Sequence, residues 1–261
     1  MFPLIGLFTG KRNKPILKKL YPSFTPFDAE ALRELCEELP ENFAALEVGS
    51  WLGQGSTQVL IAAAKRKNGV VYCVDTWRGS PNVVKHQKIV KKYDVFGTFQ
   101  ANVQAGGGDA LVKSLVMPAD DAAQIISDHQ FDLVFIDADH SYQATKSDIA
   151  KWRNKVKPGG ILCGHDCEGR VRDFDEGLLQ RSINLDTIPG NQKFKAIHPG
   201  VVLATHEVFA DTHHLFAEKE LHLPSGRSGR STIWYALQGL LISLVSFVDE
   251  SAPGYLGYLA C

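Results

Sequence analysis

Acidic and imidazole side chains recur in one kind of place in this chain, the end of a short apolar run. VVYCVD (70–75) ends in Asp75, FDLVFIDADH (131–140) ends in Asp137, Asp139 and His140, and ILCGHD (161–166) ends in His165 and Asp166. A fourth run, AALEV (44–48), leads into the glycine-rich turn GSWLGQG (49–55), and Ser56-Thr57 then opens the helix former QVLIAAAKRK. A glycine turn lets backbone approach a ligand closely, and a helix start behind it offers free N–H groups. The spacing narrows the ligand. Glycines at 49, 53 and 55 read G-x-x-x-G-x-G, not the dinucleotide pattern G-x-G-x-x-G, and no G-K-S/T follows. Glu47, two residues before the first glycine, favours a ligand with a cationic part over a pyrophosphate.

These residues need a scaffold that brings them together. The apolar runs at 44–48, 70–75, 111–117, 131–138 and 161–164 read as strands. Helical patterns separate them at 58–67, 83–93, 96–105, 120–127 and 142–155. That alternation predicts a parallel sheet covered on both faces, with ligands bound beyond the carboxyl ends of its strands. Four separate parts of the chain thus deliver acids, Trp and His to one crevice. Thr25-Pro26-Phe27-Asp28 predicts a helix start, with the helix over 29–39 ended by Pro40. Lys157-Pro158-Gly159-Gly160 predicts a helix stop ahead of the fifth strand, and Gly106-Gly107-Gly108, following a helical pattern, predicts another. Residues 167–197 are polar and irregular with a helical piece near 173–181, as expected of an insertion over the site. His198-Pro199-Gly200 opens a helix over 201–209, and 215–216 and 231–237 are the remaining strand candidates around the turn PSGRSGR.

The totals bound the rest. A formal net charge of -1 gives no global argument for nucleic acid or membrane binding. The apolar stretches at 2–8 and 239–248 are too short to span a bilayer, and the first is followed, not preceded, by charges, unlike a secretory signal. Five scattered cysteines (36, 73, 163, 167, 261) form no C-x-x-C pair, so free thiols in a reducing cytoplasm are expected. The basic segment KRNKPILKKL (11–20) is expected to be a solvated arm, and the apolar tail (238–261) to pack on the body or on a second copy of the chain.

LEVGSWLGQGS, VVYCVDTW, FDLVFIDADHSY and KPGGILCGHD, in this order and spacing, resemble a class I S-adenosylmethionine-dependent methyltransferase of the small-molecule branch with a catechol O-methyltransferase-like core. The resemblance spans about residues 27–237. It implies a doubly wound, mostly parallel, seven-stranded Rossmann-like sheet with helices on both faces and an antiparallel last strand. It divides the chain into an arm (1–27), a methyltransferase domain (28–237, with the 167–197 insertion as lid) and a tail (238–261).

The resemblance also implies roles. Gly49, Ser50, Trp51, Gly53, Gly55 and Ser56 would wrap the methionine part of S-adenosylmethionine, with Glu47 holding its amino group or supporting the loop. Asp75 would accept from the ribose hydroxyls, beside Thr76. Trp77 would pack on the adenine, with Met117, Ala119 and Asp120 along its edge. Asp137, His165 and Asp166 match positions where metal-dependent relatives, which usually present Asp, Asp and Asn, hold a divalent ion. Oxygen donors suit Mg²⁺ and the histidine opens the site to Mn²⁺. His140 stands where such relatives place a proton-accepting lysine, so it is expected as a general base, the alternatives being a ligand or a loop histidine. Asp137 is expected in the cofactor, metal and catalytic sets, and Tyr142 in the acceptor pocket. The other histidines, His198, His206, His213, His214 and His222, lack such a setting, and His213-His214 reads as exposed loop. The implied reaction is O-methylation of a small-molecule hydroxyl of sugar, phenol or natural-product type. Its rivals are a metal-dependent tailoring enzyme of the same fold resembling antibiotic hydroxylases, and a catalytically silent cofactor-binding subunit.

Overall fold

Helix α1 (Pro26–Glu37) begins at a reciprocal cap. The Asp28 backbone N–H donates to Thr25 Oγ1 at 3.1 Å, and the Asp28 carboxylate accepts the Thr25 N–H at 2.8 Å. Ala31, Leu32, Leu35 and Cys36 form its buried stripe. The chain then alternates: β1 (Ala44–Val48), α2 (Ser56–Lys67), β2 (Val70–Asp75), α3 (Val84–Lys92), α4 (Val95–Ala105), β3 (Val112–Val116), α5 (Ala119–Ile125), β4 (Phe131–Ile136), α6 (Tyr142–Trp152) and β5 (Val156–Gly164). After β5 come α7 (Glu176–Arg181), β6 (Ile188–Pro189), β7 (Ala196–Ile197), α8 (Pro199–Phe209), β8 (His214–Leu215), β9 (Leu221–His222), β10 (Ser228–Gly229) and β11 (Trp234–Leu237). This computed structural model describes residues 14–18, 24–81 and 83–239. Of the basic segment 11–20 the structure describes 14–18, which is not a free solvated arm but lies against the start of α4: Pro15 O accepts the Asp94 N–H at 3.1 Å, the Leu17 N–H donates to Thr98 Oγ1 at 3.0 Å, and Leu17 packs on the core. The tail beyond residue 239 and the expectation attached to it lie outside the described residues.

Seven strands form one sheet in the order β3-β2-β1-β4-β5-β11-β8. β1 to β5 are mutually parallel, and β11 runs antiparallel to both β5 and β8. The two faces are read off by alternation. Ala45, Val71, Cys73, Leu133, Phe135 and Cys163 face the layer of α1, α2 and α4, while Leu46, Val48, Val74, Val134, Ile136 and Leu162 face Trp152 and the layer of α5, α6 and α8. The chain moves outward from β1 through β2 to β3, then returns to β4 on the other side of β1. The β1/β4 boundary is therefore the switch point where an open sheet leaves a crevice.

One expectation needs correcting. Lys157–Gly160 is not a stop before the fifth strand; β5 already begins at Val156. Its pairing to β4 slips between Phe131↔Val156 and Leu133↔Ile161, so Pro158 and Gly159 (φ +78) sit in a bulge. A bulge accommodates a proline, which has no N–H for the ladder.

Candidate active site

Gly49 is the pivot of the crevice. Its N–H donates to Val74 O at 2.9 Å and its φ is +91. A Cβ built there would lie 2.0 Å from the Asp137 carbonyl oxygen, so only glycine lets the turn after β1 seat against the end of β4. From β2, Asp75 faces the same turn. Its Oδ2 accepts the Trp51 N–H at 2.8 Å and its Oδ1 accepts the Trp77 N–H at 2.7 Å. Burial pushes the Asp75 carboxyl up from its usual range, opposed by these backbone donors. A cleft of about 220 Å³ runs between the strand ends, lined by Gly49, Trp51, Asp75, Thr76, Ala119 and Asp137 among others. Gly53, Gly55, Ser50 and Ser56 line a smaller adjoining hollow that also reaches Asp137. A larger hollow of about 650 Å³ lies by the start of β5 and the end of β11, lined by Glu34, Asp132, Lys157 and Tyr235 among others. It is away from the strand ends that carry the acids.

Several expected site residues do other work. Glu47 is fully buried and accepts from Ser56 Oγ at 2.6 Å and Thr57 Oγ1 at 2.7 Å, which bolts β1 to the first turn of α2. It supports the loop and lines neither hollow. Trp77 does not reach the cleft. Its backbone turns at φ +51, and its ring is buried against Phe96 and Phe99 with centroids at 4.6 and 4.8 Å. Trp51, at φ +44, lines the cleft instead and lies against His86 with centroids 4.5 Å apart. Met117 packs against the core, and Asp120 is solvent-facing, paired with Lys151. The Tyr142 hydroxyl donates to Glu207 on α8.

Beyond Asp137 the crevice becomes a knot of carboxylates and imidazoles. His165 Nδ1 lies 3.1 Å from Asp166 Oδ1 and 3.7 Å from Asp137 Oδ2, and its Nε2 lies 3.3 Å from Asp28. His140 Nε2 lies 3.1 Å from Asp166 Oδ2 and 3.6 Å from Asp137 Oδ1, and its Nδ1 lies 2.9 Å from Asp186. His198 Nδ1 lies 2.7 Å from Glu168 and 3.6 Å from Asp166. Burial alone would lower the pKa of His140 and His165, but the facing carboxylates outweigh it and hold both well above the usual imidazole range. The same imidazoles outweigh burial at Asp166 and Asp137 and hold both carboxyls down. Five carboxylates here face three imidazoles, so the knot stays net negative even with every imidazole protonated.

Two expectations change. His140 is not set up as a proton acceptor, because both its ring nitrogens already face carboxylates. His213 is no exposed loop residue: it is 3 % exposed, and burial lowers its pKa to about 4. Sequence reasoning also missed His198, Glu168, Asp186 and Asp28. The signal for His198 was its place ahead of Pro199-Gly200. A Cβ at Gly200 would lie 2.3 Å from the His140 carbonyl oxygen, so the glycine lets the first turn of α8 settle on the loop after β4. Asp186 comes from the 167–197 stretch and carries no local signal.

Three comparisons bear on this geometry. Residues 46–167 match the methyltransferase-domain family Methyltransf_24. A Mycobacterium sp. (strain JLS) protein, named provisionally as an O-methyltransferase, is 28% identical over 135 residues, which are 52% of this chain and 53% of that protein. The chain thus spans about half the length of that curated relative. Among solved structures, cofactor-bound Rv0187 from MTB superposes with a TM-score of 0.52 at 20% identity, covering 85% of this chain and 84% of that one. A provisionally named O-methyltransferase from Klebsiella pneumoniae gives 0.52 at 17% identity, with 84% and 83% covered. At such identities the structural likeness is one of fold. Residues 46–167, which run from β1 to the end of β5 and carry the strand-end acids at the switch point, are thus similar to a methyltransferase domain.

Proposed function

We propose that the chain binds S-adenosylmethionine in the cleft between β1 and β4 and transfers its methyl group to the hydroxyl oxygen of a small molecule. A divalent cation, Mg²⁺ or Mn²⁺, held by Asp137, His165 and Asp166 assists. One observation carries this reading: Asp137 lines the cleft beside Gly49 and Asp75 while its carboxylate reaches His165 and His140. Cofactor and acceptor sites thus share a wall one side chain thick. The donor sets fit. Each Asp75 oxygen takes one backbone N–H and keeps lone pairs for ribose hydroxyls. The Gly49 turn admits a ligand against bare backbone, and Trp51, Thr76 and Ala119 flank the adenine end. The ligand atoms of Asp137, His165 and Asp166 lie within 4.8 Å of one another, a mixed O/N set for a divalent ion.

In the reaction an O–CH₃ bond forms as the S–CH₃ bond breaks, the sulfonium becomes a neutral thioether, and the hydroxyl proton passes to solvent water. When bound, the cofactor supplies the electrophilic methyl and the cation lowers the pKa of the acceptor hydroxyl. The chain's own part is alignment. Gly49 and Asp75 fix one partner, Asp137 and Asp166 the other, and rate follows from holding oxygen, carbon and sulfur in line. The 167–197 insertion, which supplies Glu168 and Asp186, shapes the acceptor side. Labelled S-adenosylmethionine offered with a library of hydroxylated acceptors tests the proposal. Label should appear on an oxygen and vanish with EDTA. Transfer to no hydroxyl acceptor overturns the assignment, and transfer untouched by EDTA overturns the cation's part.

A further inference from the structure

We propose a second cation site, for a first-row transition ion, held by His140, Asp186 and His198. It does not depend on the methyl-transfer reading. The donor atoms of these three residues lie within 4.8 Å of one another, with His140 Nδ1 and Asp186 Oδ1 2.9 Å apart. Cis donors around an ion with bonds near ~2.1 Å stand about 3 Å apart, so this pair already has a chelating spacing. Two imidazoles and one carboxylate make a face of three donors that leaves other positions open, a set that selects Mn, Fe, Co or Zn over Mg.

Two further observations support an ion there. The first is what stands behind each ring. Ligating histidines almost always donate their second N–H to a carboxylate or carbonyl. Glu168 is 5 % exposed, and its two oxygens take the His198 ring Nδ1 at 2.7 Å and the His198 backbone N–H at 3.0 Å, which fixes the tautomer and leaves Nε2 for the ion. Behind His140, Asp166 and Asp137 face Nε2 and leave Nδ1 toward Asp186. The second is space beside two of the three ligands: a hollow of about 20 Å³, lined by His140, Asp186, Asp139 and Asn184 but not by His198, has room for a water or an ion. The excess of carboxylates over imidazoles gives the charge. The site joins three parts of the chain, the loop after β4, the insertion and the start of α8, so an ion here would pin the insertion to the body.

The test is equilibrium dialysis of metal-stripped protein against Co²⁺ alone, with bound cobalt counted by elemental analysis and its visible spectrum recorded. The wild type should bind Co²⁺ with the spectrum of nitrogen ligation. Asp186→Asn and His198→Gln should weaken cobalt binding at this site by roughly tenfold or more and Glu168→Gln by roughly tenfold, while Asp137→Asn should remove only cobalt held between Asp137, His165 and Asp166 and leave this site's cobalt bound. Asp186 is exposed, so Asp186→Asn should melt like the wild type without metal and decides the matter if a buried variant misfolds. Cobalt binding unchanged in Asp186→Asn, or lost only in Asp137→Asn, overturns the proposal. S-adenosylmethionine binding by the metal-stripped protein is measured alongside, so a failure of the methyl-transfer reading is seen separately.

Discussion

Asp148 on α6 shows how single residues set the pH behaviour of this molecule. Burial pushes its carboxyl up to about 7, with Lys151 3.9 Å away only partly offsetting it. The folded chain therefore holds a proton there that the unfolded chain has released above about pH 4, so stability falls as pH rises from about 4 to about 7. Asp148→Asn removes that dependence. Relative to the variant, the wild type should lose about 2 to 4 kcal/mol across this window in urea unfolding. A wild-type–variant difference that does not vary with pH contradicts the assignment. At this scale the sequence was informative where a residue's job is set by its own strand end. Asp75 and Asp137 stand where the apolar runs end. Trp77 misled because the backbone at +51 turns its ring from the cleft into the core, and no neighbour announces that. His198 and Asp186 escaped notice because their partners lie 58 and 46 positions back at His140, and only packing joins them.

Elements position the site through close backbone approaches. The turn after β1 touches the end of β4 at Gly49, and α8 touches the loop after β4 at Gly200. Gly49→Ala puts a Cβ where the Asp137 carbonyl stands and forces an L residue to φ +91. It should cost about 1 to 3 kcal/mol of stability and weaken S-adenosylmethionine binding far more than that loss explains, because the strand ends that form the cleft must part. Calorimetry on the folded variant checks this; wild-type affinity would mean that the turn is not the cradle. The alternation of strands and helices was legible because apolar period and glycine punctuation act locally. The bulge in β5 was not. Lys157-Pro158-Gly159-Gly160 has the composition of a turn, and only pairing with β4 and β11 makes it strand.

For the whole molecule, one buried carboxylate ties α1 to the segment that leads into β11. Asp28 accepts from Ser231 Oγ at 2.7 Å and from the Thr232 N–H at 3.0 Å while also facing His165. Burial by itself would raise its carboxyl, but His165 and the hydroxyls of Thr25 and Ser231 hold it down at about 2. The stability it contributes is present above about pH 4 and is lost as pH falls toward 2. Asp28→Asn should thus remove about 2 kcal/mol at neutral pH and flatten acid unfolding between pH 4 and 2. An unchanged acid limb contradicts it. The mostly parallel seven-stranded sheet with an antiparallel last strand was foreseen through the family resemblance; its strand order was not. The clasp was not, because 203 and 204 positions separate its partners.

The central claim is that the β1/β4 crevice is an S-adenosylmethionine site closed by Asp75. Titration calorimetry of metal-stripped wild type and Asp75→Ala with S-adenosylmethionine tests it most directly. The wild type should bind at one site per chain, and Asp75→Ala should bind at least roughly tenfold more weakly, having lost a charge-assisted hydrogen-bonding partner. No binding by the wild type, or equal affinity in the two proteins, would contradict it.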